Sequence, residues 1–600
     1  MLQSFAATTT PGTGAARLRA LRREMRREGL SGFIVPRSDA HMGENVAPRD
    51  ERLAWLTGFT GTAGRCVVLQ DKAGIFVDGR YRLQVQAQVD TAVFTPVPVP
   101  DVKTEDWLGE HLAGGGTLGY DPWLHGAEEI EKLSEALAGK GGSLRPVDNP
   151  IDRIWTDQPP PPRGRIVPYP ERLAGEGHAS KRRRLAATLR AEGLSAAVLN
   201  LPDSIAWLLN IRGSDIARTP VAHAFAILHA DATVDLFVDP AKVDDAVREH
   251  LGTAVRLRET RDFAGALDRL KGEVAVDRAT APVRVSNRLA AAGAGIRWRD
   301  DPCILPKATK NEAEISGARA AHLRDGVAFA RFLHWLGGTA PSGSLTEIDA
   351  VRKLEDFRRE TGALRDIAFD TISGAGPNGA IVHYRVTEDS NRPIVPGDIF
   401  LVDSGAQYED GTTDITRTVA TGPAGADAAR AFTLVLKGMI AISTARWPEG
   451  LAGRDIDALA RADLWRAGLD YDHGTGHGVG AYLSVHEGPQ SISRRGNAEL
   501  LPGMIVSNEP GYYHEGAFGI RIENLLVVMP PQTPAGGDRP MLGFETLTLA
   551  PVDRRLVRSD LLTRRERDWL NAYHARVREE LSPLVDAETG TWLAESCAPL

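Results

Sequence analysis

The sequence predicts two related α/β domains followed by a larger α+β domain. Three observations indicate this architecture: a repeated order of short motifs in the first half of the chain, a proline-rich stretch between the two copies, and acid-bearing β-hairpins in the second half. The chain has 600 residues, which is too long for a single hydrophobic core, so several domains are expected.

The repeat lies in residues 17–78 and 181–239. The first copy contains "RREGLSGFIV", "ERLAWLTGF" and "GIFVDGR", and the second contains "RAEGLSAAVL", "DSIAWLLNI" and "DLFVDP" in the same order. Each copy begins with a charged amphipathic helix that ends at a glycine, Gly29 or Gly193, and a buried strand follows. An Ala-Trp-Leu segment and a second apolar strand come next. Because helices alternate with strands, each copy predicts an α/β layer architecture that arose by duplication.

Two proline-containing stretches divide the chain. Asp157–Pro170, "DQPPPPRGRIVPYP", carries six prolines and is too stiff and too poor in N–H donors for a domain interior. Farther along, Pro302 and Pro306 precede a long segment with apolar residues at helical spacing, which predicts a helix. The predicted domains are therefore residues 1–160, 161–304 and 305–600.

Composition and charge narrow the class of protein. Apolar residues make up 42% and charged residues 25% of the chain, and the net charge is -8. These values are typical of a globular protein and argue against a general nucleic-acid binder. Cys66, Cys303 and Cys597 have no metal-like spacing, which favours a reducing compartment. We expect residues 15–28 to form a solvated first helix rather than a targeting or membrane-surface segment, and we expect a cytoplasmic protein.

Acidic residues inside apolar strands are the most informative feature of the last predicted domain. Asp403 ends the run "IFLVD" and Asp414 enters "TDITRTVA", on either side of a turn predicted at Asp410–Gly411. In a regular hairpin we expect the two aspartates to lie directly opposite each other, with Cβ atoms about 4.5–5.5 Å apart. Like charges in that position are destabilising unless a cation lies between them.

A second pair of carboxylates repeats this pattern. Glu509 in "SNEPGYY" and Glu523 in "RIEN" are equally distant from Gly516, in the turn "HEGAFG". One such pair is compatible with solvated or arginine-paired acids, but two pairs on apolar strands favour a metal site. The segment His473–Pro489, "HGTGHGVGAYLSVHEGP", lies between the two pairs and places histidines on a glycine-rich backbone.

Four carboxylates and one imidazole predict a site for two divalent cations. In such sites the ions lie about 3.5–4 Å apart. Oxygen ligands with a single nitrogen favour Mn²⁺, with Co²⁺, Zn²⁺ or Fe²⁺ as alternatives. A water between two cations loses a proton readily, so hydrolysis is the implied reaction. The sequence contains no GxxxxGK[ST], HExxH or GxSxG motif that would indicate another chemistry.

Five motifs occur in order between Asp403 and Asn524: "DSGAQYEDGTTDITRT", "GTGHGVG", "VHEGP", "SNEPGYY" and "IRIEN". Together they resemble the motifs of the pita-bread metallopeptidases, and specifically those of the aminopeptidase P family. "KNEAEISGARAAHLRDG" and "FDTISGAGPNGAIVHY" extend the resemblance upstream, and the three-domain length resembles the long cytosolic form of the family. The resemblance implies two creatinase-like N-terminal domains, a pita-bread catalytic domain, and removal of an N-terminal residue that precedes proline.

The resemblance also implies which residues act. The five metal ligands would be Asp403, Asp414, His477, Glu509 and Glu523. The catalytic group would be Glu509, His383, His473 and His486, and the substrate-binding group would be His383, His473, His486, Tyr513 and Arg521. Glu509 would pass a proton to the leaving proline nitrogen, while His383 and His486 would donate hydrogen bonds to the tetrahedral intermediate.

Two alternatives remain open from the sequence. Prolidase has the same set of metal ligands but cleaves only Xaa-Pro dipeptides, and the two additional α/β domains favour the aminopeptidase. A peptide-binding protein that has lost its metals is the second alternative, and the complete ligand set disfavours it. The expected partners are peptides with a penultimate proline and a second copy of the chain in a homodimer, with no nucleic acid and no membrane. Arg80 in "VDGRY" matches a family position, but no role is assigned to it.

Overall fold

The structure is a computed structural model that describes residues 2–112 and 115–600. The chain divides into two compact units, a first unit of residues Thr8–Ile304 and a second unit of Leu305–Leu600 joined by the segment that ends at Ala7. Within the described residues, no helix has both the length and the apolar composition needed to cross a membrane. The domain boundaries at residues 160 and 304 stay predictions.

The first unit contains two six-stranded sheets. The strands of the first sheet are β1 (Gly32–Pro36), β2 (Arg65–Leu69), β3 (Ala73–Val77), β4 (Thr95–Pro98), β5 (Thr117–Tyr120) and β6 (Ser143–Pro146), in the order β4-β3-β2-β1-β5-β6. A short pair, β7 (Val167–Pro168) with β9 (Ile211–Arg212), lies outside both sheets. The strands of the second sheet are β8 (Leu194–Leu199), β10 (Phe225–His229), β11 (Val234–Phe237), β12 (Val255–Arg258), β13 (Glu273–Val276) and β14 (Gly295–Trp298), in the order β12-β11-β10-β8-β13-β14.

The two sheets share one topology, which confirms the predicted pair of related α/β domains. In each, the first strand pairs antiparallel with the second and parallel with the fifth, and the remaining pairings also agree in direction. Gly29 and Gly193 follow the first helix of each copy with φ values of 63° and 72°. These are left-handed conformations that glycine adopts without steric cost.

Among its described residues, the first unit also contains twelve α-helices. They are α1 (Pro11–Arg27), α2 (Arg52–Thr57), α3 (Arg82–Gln88), α4 (Thr104–His111), α5 (Ala127–Ala138), α6 (Pro150–Ile154), α7 (Glu171–Ala174), α8 (His178–Ala191), α9 (Pro202–Leu209), α10 (Asp245–Leu251), α11 (Phe263–Leu267) and α12 (Val283–Ala291). The repeated Ala-Trp-Leu segments form α2 and α9. Arg80, between β3 and α3, donates two side-chain hydrogen bonds to Asp78, at 2.9 and 2.7 Å.

The second unit is the larger α+β domain. Its helices are α13 (Ile304–Ala308, beginning at the last residue of the first unit), α14 (Glu312–Thr339), α15 (Glu347–Glu360), α16 (Ala426–Ser443), α17 (Gly453–Arg466), α18 (Arg564–Leu581) and α19 (Ala587–Ser596). Its strands are β15 (Asp366–Ile367), β16 (Ile372–Ala375), β17 (Ile399–Tyr408), β18 (Gly411–Ala420), β19 (Gly476–Gly478), β20 (Glu487–Ile492), β21 (Ile505–Asn508), β22 (Gly511–His514), β23 (Phe518–Arg521), β24 (Asn524–Gln532) and β25 (Met541–Thr546).

The strands of this unit form three groups. One sheet is built on β17, which pairs with β15, β16 and β18, and a five-stranded sheet has the order β20-β19-β21-β24-β25. The pair β22–β23 lies apart from both. The long helix α14 begins with a capping box, in which Asn311 accepts from the backbone N–H of Glu314 and the Glu314 carboxylate accepts from the backbone N–H of Asn311. Apolar residues of α14 and α15 pack against one face of β17 and β18.

Candidate metal centre

Strands β17 and β18 form an unbroken hairpin, which we call the first ribbon. All residues of both strands are buried, and the hairpin turns at residues 409–410, one position earlier than predicted. In this register Asp403 pairs with Thr416 and Asp414 pairs with Gly405. The prediction that the two aspartates lie directly opposite each other is therefore wrong. They lie diagonally, two positions apart on the same face, where carboxylates remain within reach of a shared ligand.

Residues 505–527 form a second hairpin, which we call the second ribbon, and this one is interrupted. Strand β21 pairs with β24 up to Asn508 opposite Asn524, and β22 pairs with β23 from Gly511 opposite Arg521. The register is the same on both sides of the gap. Glu509 and Glu523 consequently occupy opposing positions within the gap itself. Where two strands of this ribbon were predicted, the structure has four.

The gap lets the second ribbon bond to other strands. The backbone N–H of Glu509 donates to the carbonyl of Thr475 at 2.7 Å, and the backbone N–H of Glu523 donates to the carbonyl of Thr416 at 3.1 Å. Thr416 belongs to the first ribbon, and Thr475 directly precedes β19. The two ribbons and the strand that carries His477 are therefore connected at the two glutamates.

His477 lies between acids from both ribbons. Its Nε2 is 3.6 Å from Asp414 Oδ2 and 3.3 Å from Glu509 Oε1, and its Nδ1 is 2.9 Å from the carbonyl oxygen of Gly478. The carbonyl accepts from Nδ1–H, which directs the Nε2 lone pair toward the acids, as in metal-binding imidazoles. Although burial opposes it, the neighbouring Asp414 and Glu509 carboxylates raise the pKa of His477 to about 9.

The glycines beside His477 allow the backbones to approach closely. A Cβ atom on Gly476 would lie 1.8 Å from the carbonyl oxygen of Ser507, and one on Gly478 would lie 2.2 Å from that of Glu487. Any larger residue at either position would push β19 away from its neighbours. The glycine-rich segment thus holds an imidazole between two strands.

Two of the acids and the imidazole converge on one point. Asp414, His477 and Glu523 each offer a ligand atom within 4.8 Å of the others. Asp403 Oδ1, Asp414 Oδ1 and Glu523 Oε1 are buried and have no hydrogen-bond partner within the described part of the chain. Burial, reinforced by the neighbouring carboxylates, raises the pKa of Glu523 well above its usual value, and burial likewise raises that of Asp403 although Arg521 opposes the shift.

This donor set fits divalent cations. A buried carboxylate oxygen without a partner loses the free energy of its hydration, and several such oxygens facing one another repel. A cation removes both penalties. Hard carboxylate oxygens with one imidazole nitrogen are the ligands that Mn²⁺ and similar ions accept.

Arg521 pairs with Asp403, one of the four acids. Its Nη2 donates to Asp403 Oδ2 at 2.6 Å, and its Nη1 donates to the Tyr513 hydroxyl at 2.6 Å. The same hydroxyl lies 2.9 Å from His473 Nε2. The structure thus joins His473, Tyr513, Arg521 and Asp403 in one hydrogen-bonded chain.

His486 stands beside His477, with ring centroids 4.4 Å apart in an edge-to-face arrangement. The next residue, Glu487, is clamped by two buried lysines. Lys307 Nζ lies 2.8 Å from Glu487 Oε2, and Lys310 Nζ lies 2.5 Å from Glu487 Oε1. All three side chains are excluded from solvent, so loss of one partner would leave an uncompensated buried charge. We call Lys307, Lys310 and Glu487 the lysine clamp.

His383 is half-buried and follows the helical turn 376–380. That turn packs directly on the second ribbon, since a Cβ on Gly519 would lie 1.7 Å from the carbonyl oxygen of Gly379. His383 is therefore placed three residues after a segment in contact with β23.

Sequence reasoning missed two hydroxyl residues. Thr416 Oγ1 donates to Glu523 Oε2 at 2.8 Å, and Ser507 Oγ donates to Glu509 Oε1 at 2.9 Å. A signal for both existed, because Thr416 follows Asp414 by two positions and Ser507 precedes Glu509 by two. Alternation along a strand puts such residues on the same face as the acid.

Comparisons with known proteins agree with this architecture. Residues 17–154 and 157–314 each match a creatinase/prolidase N-terminal domain, residues 316–530 match metallopeptidase family M24, and residues 540–600 match the C-terminal region of that peptidase. A chain with these four matches and with this cluster of acids and histidine is a metallopeptidase of the pita-bread class, and hence a hydrolase.

Full-length relatives define the family more narrowly. Aminopeptidase P2 of Arabidopsis thaliana is 42% identical, covering 95% of this chain and 86% of that protein. A probable Xaa-Pro aminopeptidase P of Coccidioides posadasii is 40% identical, covering 99% and 95%. The X-prolyl aminopeptidase of Caenorhabditis elegans, described as a cytosolic enzyme with a di-nuclear active site, superposes with a TM-score of 0.93 at 32% identity, covering 98% and 100%. The chain belongs to the aminopeptidase P family.

A prolidase from Thermococcus sibiricus shares the fold alone. It is 24% identical, with a TM-score of 0.51, and the likeness covers 63% of this chain. The shorter alignment leaves more than a third of the present chain without a counterpart in that enzyme.

Proposed function

We propose that this chain is a dinuclear-metal aminopeptidase that hydrolyses the bond between an N-terminal residue and a penultimate proline. Asp403, Asp414, His477, Glu509 and Glu523 would hold the two cations. One observation carries the assignment: three buried carboxylate oxygens from both ribbons have no hydrogen-bond partner within the described residues, and two of those acids, Asp414 and Glu523, cluster with His477. The full-length likeness to an X-prolyl aminopeptidase with a di-nuclear active site supports it.

The ions that best match these donors are Mn²⁺ first and Co²⁺ or Zn²⁺ next. When bound, two such cations supply Lewis-acid activation of a water molecule and of the scissile carbonyl. The hydroxyls of Thr416 and Ser507 would orient Glu523 and Glu509 toward them, because each hydroxyl donates to one carboxylate oxygen and leaves the other oxygen available.

Glu509 is proposed to transfer the proton. Its side chain is 17% exposed, against 4% for Asp414 and 1% for residue Glu523 as a whole. Of these acids it therefore reaches solvent and substrate most easily. A carboxylate in this position accepts a proton from the attacking water and delivers it to the leaving proline nitrogen.

The histidines would bind the reacting peptide. His486, edge-on to His477, and His383, close to the second ribbon, are proposed to donate hydrogen bonds to the oxygen that gains charge during attack. His473 and Tyr513 are proposed to line the proline side of the site. Arg521 joins Tyr513 to Asp403 and would hold both in place, because its planar guanidinium bonds in two directions at once.

The scissile Xaa-Pro bond is a tertiary amide and has no N–H. A site that offers no hydrogen-bond acceptor at that nitrogen therefore loses no interaction when it binds proline, which agrees with specificity for proline. The alternative substrate class is the Xaa-Pro dipeptide of prolidases. An assay of the metal-loaded protein with three peptides separates them: an Xaa-Pro-Pro tripeptide, the matched Xaa-Ala-Pro tripeptide and the Xaa-Pro dipeptide. We expect release of the first residue from Xaa-Pro-Pro and little from Xaa-Ala-Pro.

Turnover of the dipeptide alone would replace the aminopeptidase assignment with a prolidase. Retention of full activity after chelation and desalting would contradict the metal assignment. We further propose a cytoplasmic location and a homodimer, the second of which sedimentation of the purified chain would test directly.

A further inference from the structure

Residues 540–600 contain none of the proposed ligands or substrate-binding residues. They are nevertheless hydrogen-bonded to the strands that build the metal centre. Strand β25 pairs with β24 as the edge of the sheet that carries His477. The chain then passes residues 547–553, where the Thr548 hydroxyl accepts from the backbone N–H of Leu525 at 2.8 Å. Helix α18 follows and contributes Tyr573 to the interior, where it is 5% exposed.

Arg417 connects this region to both ribbons. Its guanidinium donates to three acceptors beside the proposed ligands, and to three acceptors of the C-terminal region. The first group is Thr416 O at 2.9 Å, Glu523 O at 2.6 Å and Asn524 Oδ1 at 2.8 Å. The second group is Pro551 O at 3.0 Å, Ala550 O at 2.8 Å and the Tyr573 hydroxyl at 2.9 Å.

The Arg417 guanidinium is closed off from solvent and depends on these six acceptors. Arg417 is 1% exposed, and none of these six acceptors is a carboxylate. Burial lowers the pKa of Arg417, which reflects the cost of holding a cation among neutral groups. Each dipole that points at the guanidinium offsets part of that cost, so removal of one acceptor weakens the hold on the others.

The bonds of Arg417 end at the backbone of a proposed ligand. One N–H group fixes the carbonyl of Glu523, and the same nitrogen fixes the carbonyl of Thr416, whose hydroxyl donates to the Glu523 carboxylate. A shift of the guanidinium would therefore move both the ligand and the group that orients it. Groups that orient metal ligands typically change metal affinity by about 10–100-fold when they are removed.

We propose that the C-terminal region positions Glu523 for cation binding through the Tyr573–Arg417 contact. Arg417 and Tyr573 are positioning residues that touch neither cation nor substrate. The inference rests on the proposed function, because it takes Glu523 to be a ligand.

Tyr573→Phe tests the proposal, since it removes one hydroxyl and keeps the ring that stacks on Trp569 at a centroid distance of 5.3 Å. The matched control is Val577→Ala, on the same helix and fully buried but with no polar contact to Arg417. For each full-length protein the Mn²⁺ dissociation constant is measured by competition with a chelating dye, and the visible absorption of the Co²⁺-loaded protein reports ligand geometry. Thermal unfolding of the metal-free proteins records stability separately.

We expect Tyr573→Phe to weaken Mn²⁺ binding about ten-fold and to alter the Co²⁺ spectrum, while Val577→Ala lowers the unfolding temperature but leaves affinity within about two-fold. Equal affinity in Tyr573→Phe and wild type would overturn the inference, as would equal losses in both variants. If Tyr573→Phe does not fold, Arg417→Lys, which keeps the buried cation but removes the guanidinium that bonds to Ala550 and Tyr573, takes its place with the same expectation. A wild-type protein that binds no Mn²⁺ would instead contradict the proposed function.

Discussion

The two ribbons present pairs of carboxylates by different means. The first ribbon is continuous, and its ladder alone sets the diagonal relation of Asp403 and Asp414. The second ribbon is interrupted where Glu509 and Glu523 face each other, and their backbones bond to Thr475 and Thr416 instead of to each other. The difference indicates that the first pair depends on its own hairpin, whereas the second pair depends on neighbouring strands.

Asp414→Ala tests the pair that the first ribbon holds by itself. We expect loss of activity by more than about a thousand-fold, because no neighbouring strand can supply the missing carboxylate and the site loses an anion that balances the cations. Activity assays and metal analysis by mass spectrometry on the same sample measure the effect. Glu409→Ala, in the turn of the same ribbon, is the control and should retain activity. Near-native turnover of Asp414→Ala would refute the ligand assignment.

His486→Ala distinguishes the contribution of the two ribbons, which would hold the metals, from that of the glycine-rich segment, which carries His486. We expect kcat to fall by about 10²–10³-fold, the usual loss for one donor that stabilises charge in the transition state. Metal content should stay at the wild-type value, because both ribbons and His477 are unchanged. Steady-state kinetics with metal analysis decides the matter, and a parallel loss of metal would show that His486 is a ligand rather than a substrate-binding residue.

Thr416→Val examines the dependence of the second ribbon on the first. The substitution keeps the shape of the side chain and removes the hydroxyl that donates to Glu523 at 2.8 Å, so we expect metal affinity to fall by about 10–100-fold. Thr412→Val is the matched control, since its hydroxyl lies on the same strand and bonds to Gln407 instead of to a proposed ligand. Equal metal affinities in the two variants would mean that the second ribbon does not need this support.

Metal removal should expose the repulsion within both pairs as a pH-dependent loss of stability. The folded metal-free state raises the pKa values of Asp403, Glu523 and His477 above their unfolded values. The native state then binds more protons than the unfolded state, and stability falls as the pH rises through the folded pKa values. The unfolding temperature of the metal-free protein should drop by a few degrees between pH 5 and pH 8, and saturating Mn²⁺ should reduce that drop. A flat profile in both forms would contradict this.

The sequence predicted the broad layout because its signals are local. The repeated motifs predicted two related α/β domains, and the alternation of apolar and acidic residues predicted four strands around the acids. Register was harder: direct opposition of Asp403 and Asp414 requires a hairpin centred between residues 408 and 409, and the observed centre between residues 409 and 410 changes every partner in the first ribbon. The gap in the second ribbon could not be foreseen, because it depends on bonds to Thr475 and Thr416 that are distant in sequence.

The long-range supporting contacts made by Arg417 and by the lysine clamp were also beyond sequence reasoning. Arg417, in "DITRT", has a supporting role only because the fold brings Tyr573 and the Ala550 carbonyl around it. The lysine clamp joins "PKATK" to Glu487 across 177 positions. Such contacts arise from tertiary packing, which no short window of sequence contains.

Burial of the lysine clamp should protect its two amines from chemical modification. Acylating reagents attack amines that solvent can reach, and the side chains of Lys307 and Lys310 are 3% and 0% exposed. Dyes or resins that couple through amino groups should therefore attach elsewhere on the surface. The clamp on Glu487, the residue after His486, should therefore survive coupling of the protein through its exposed lysines.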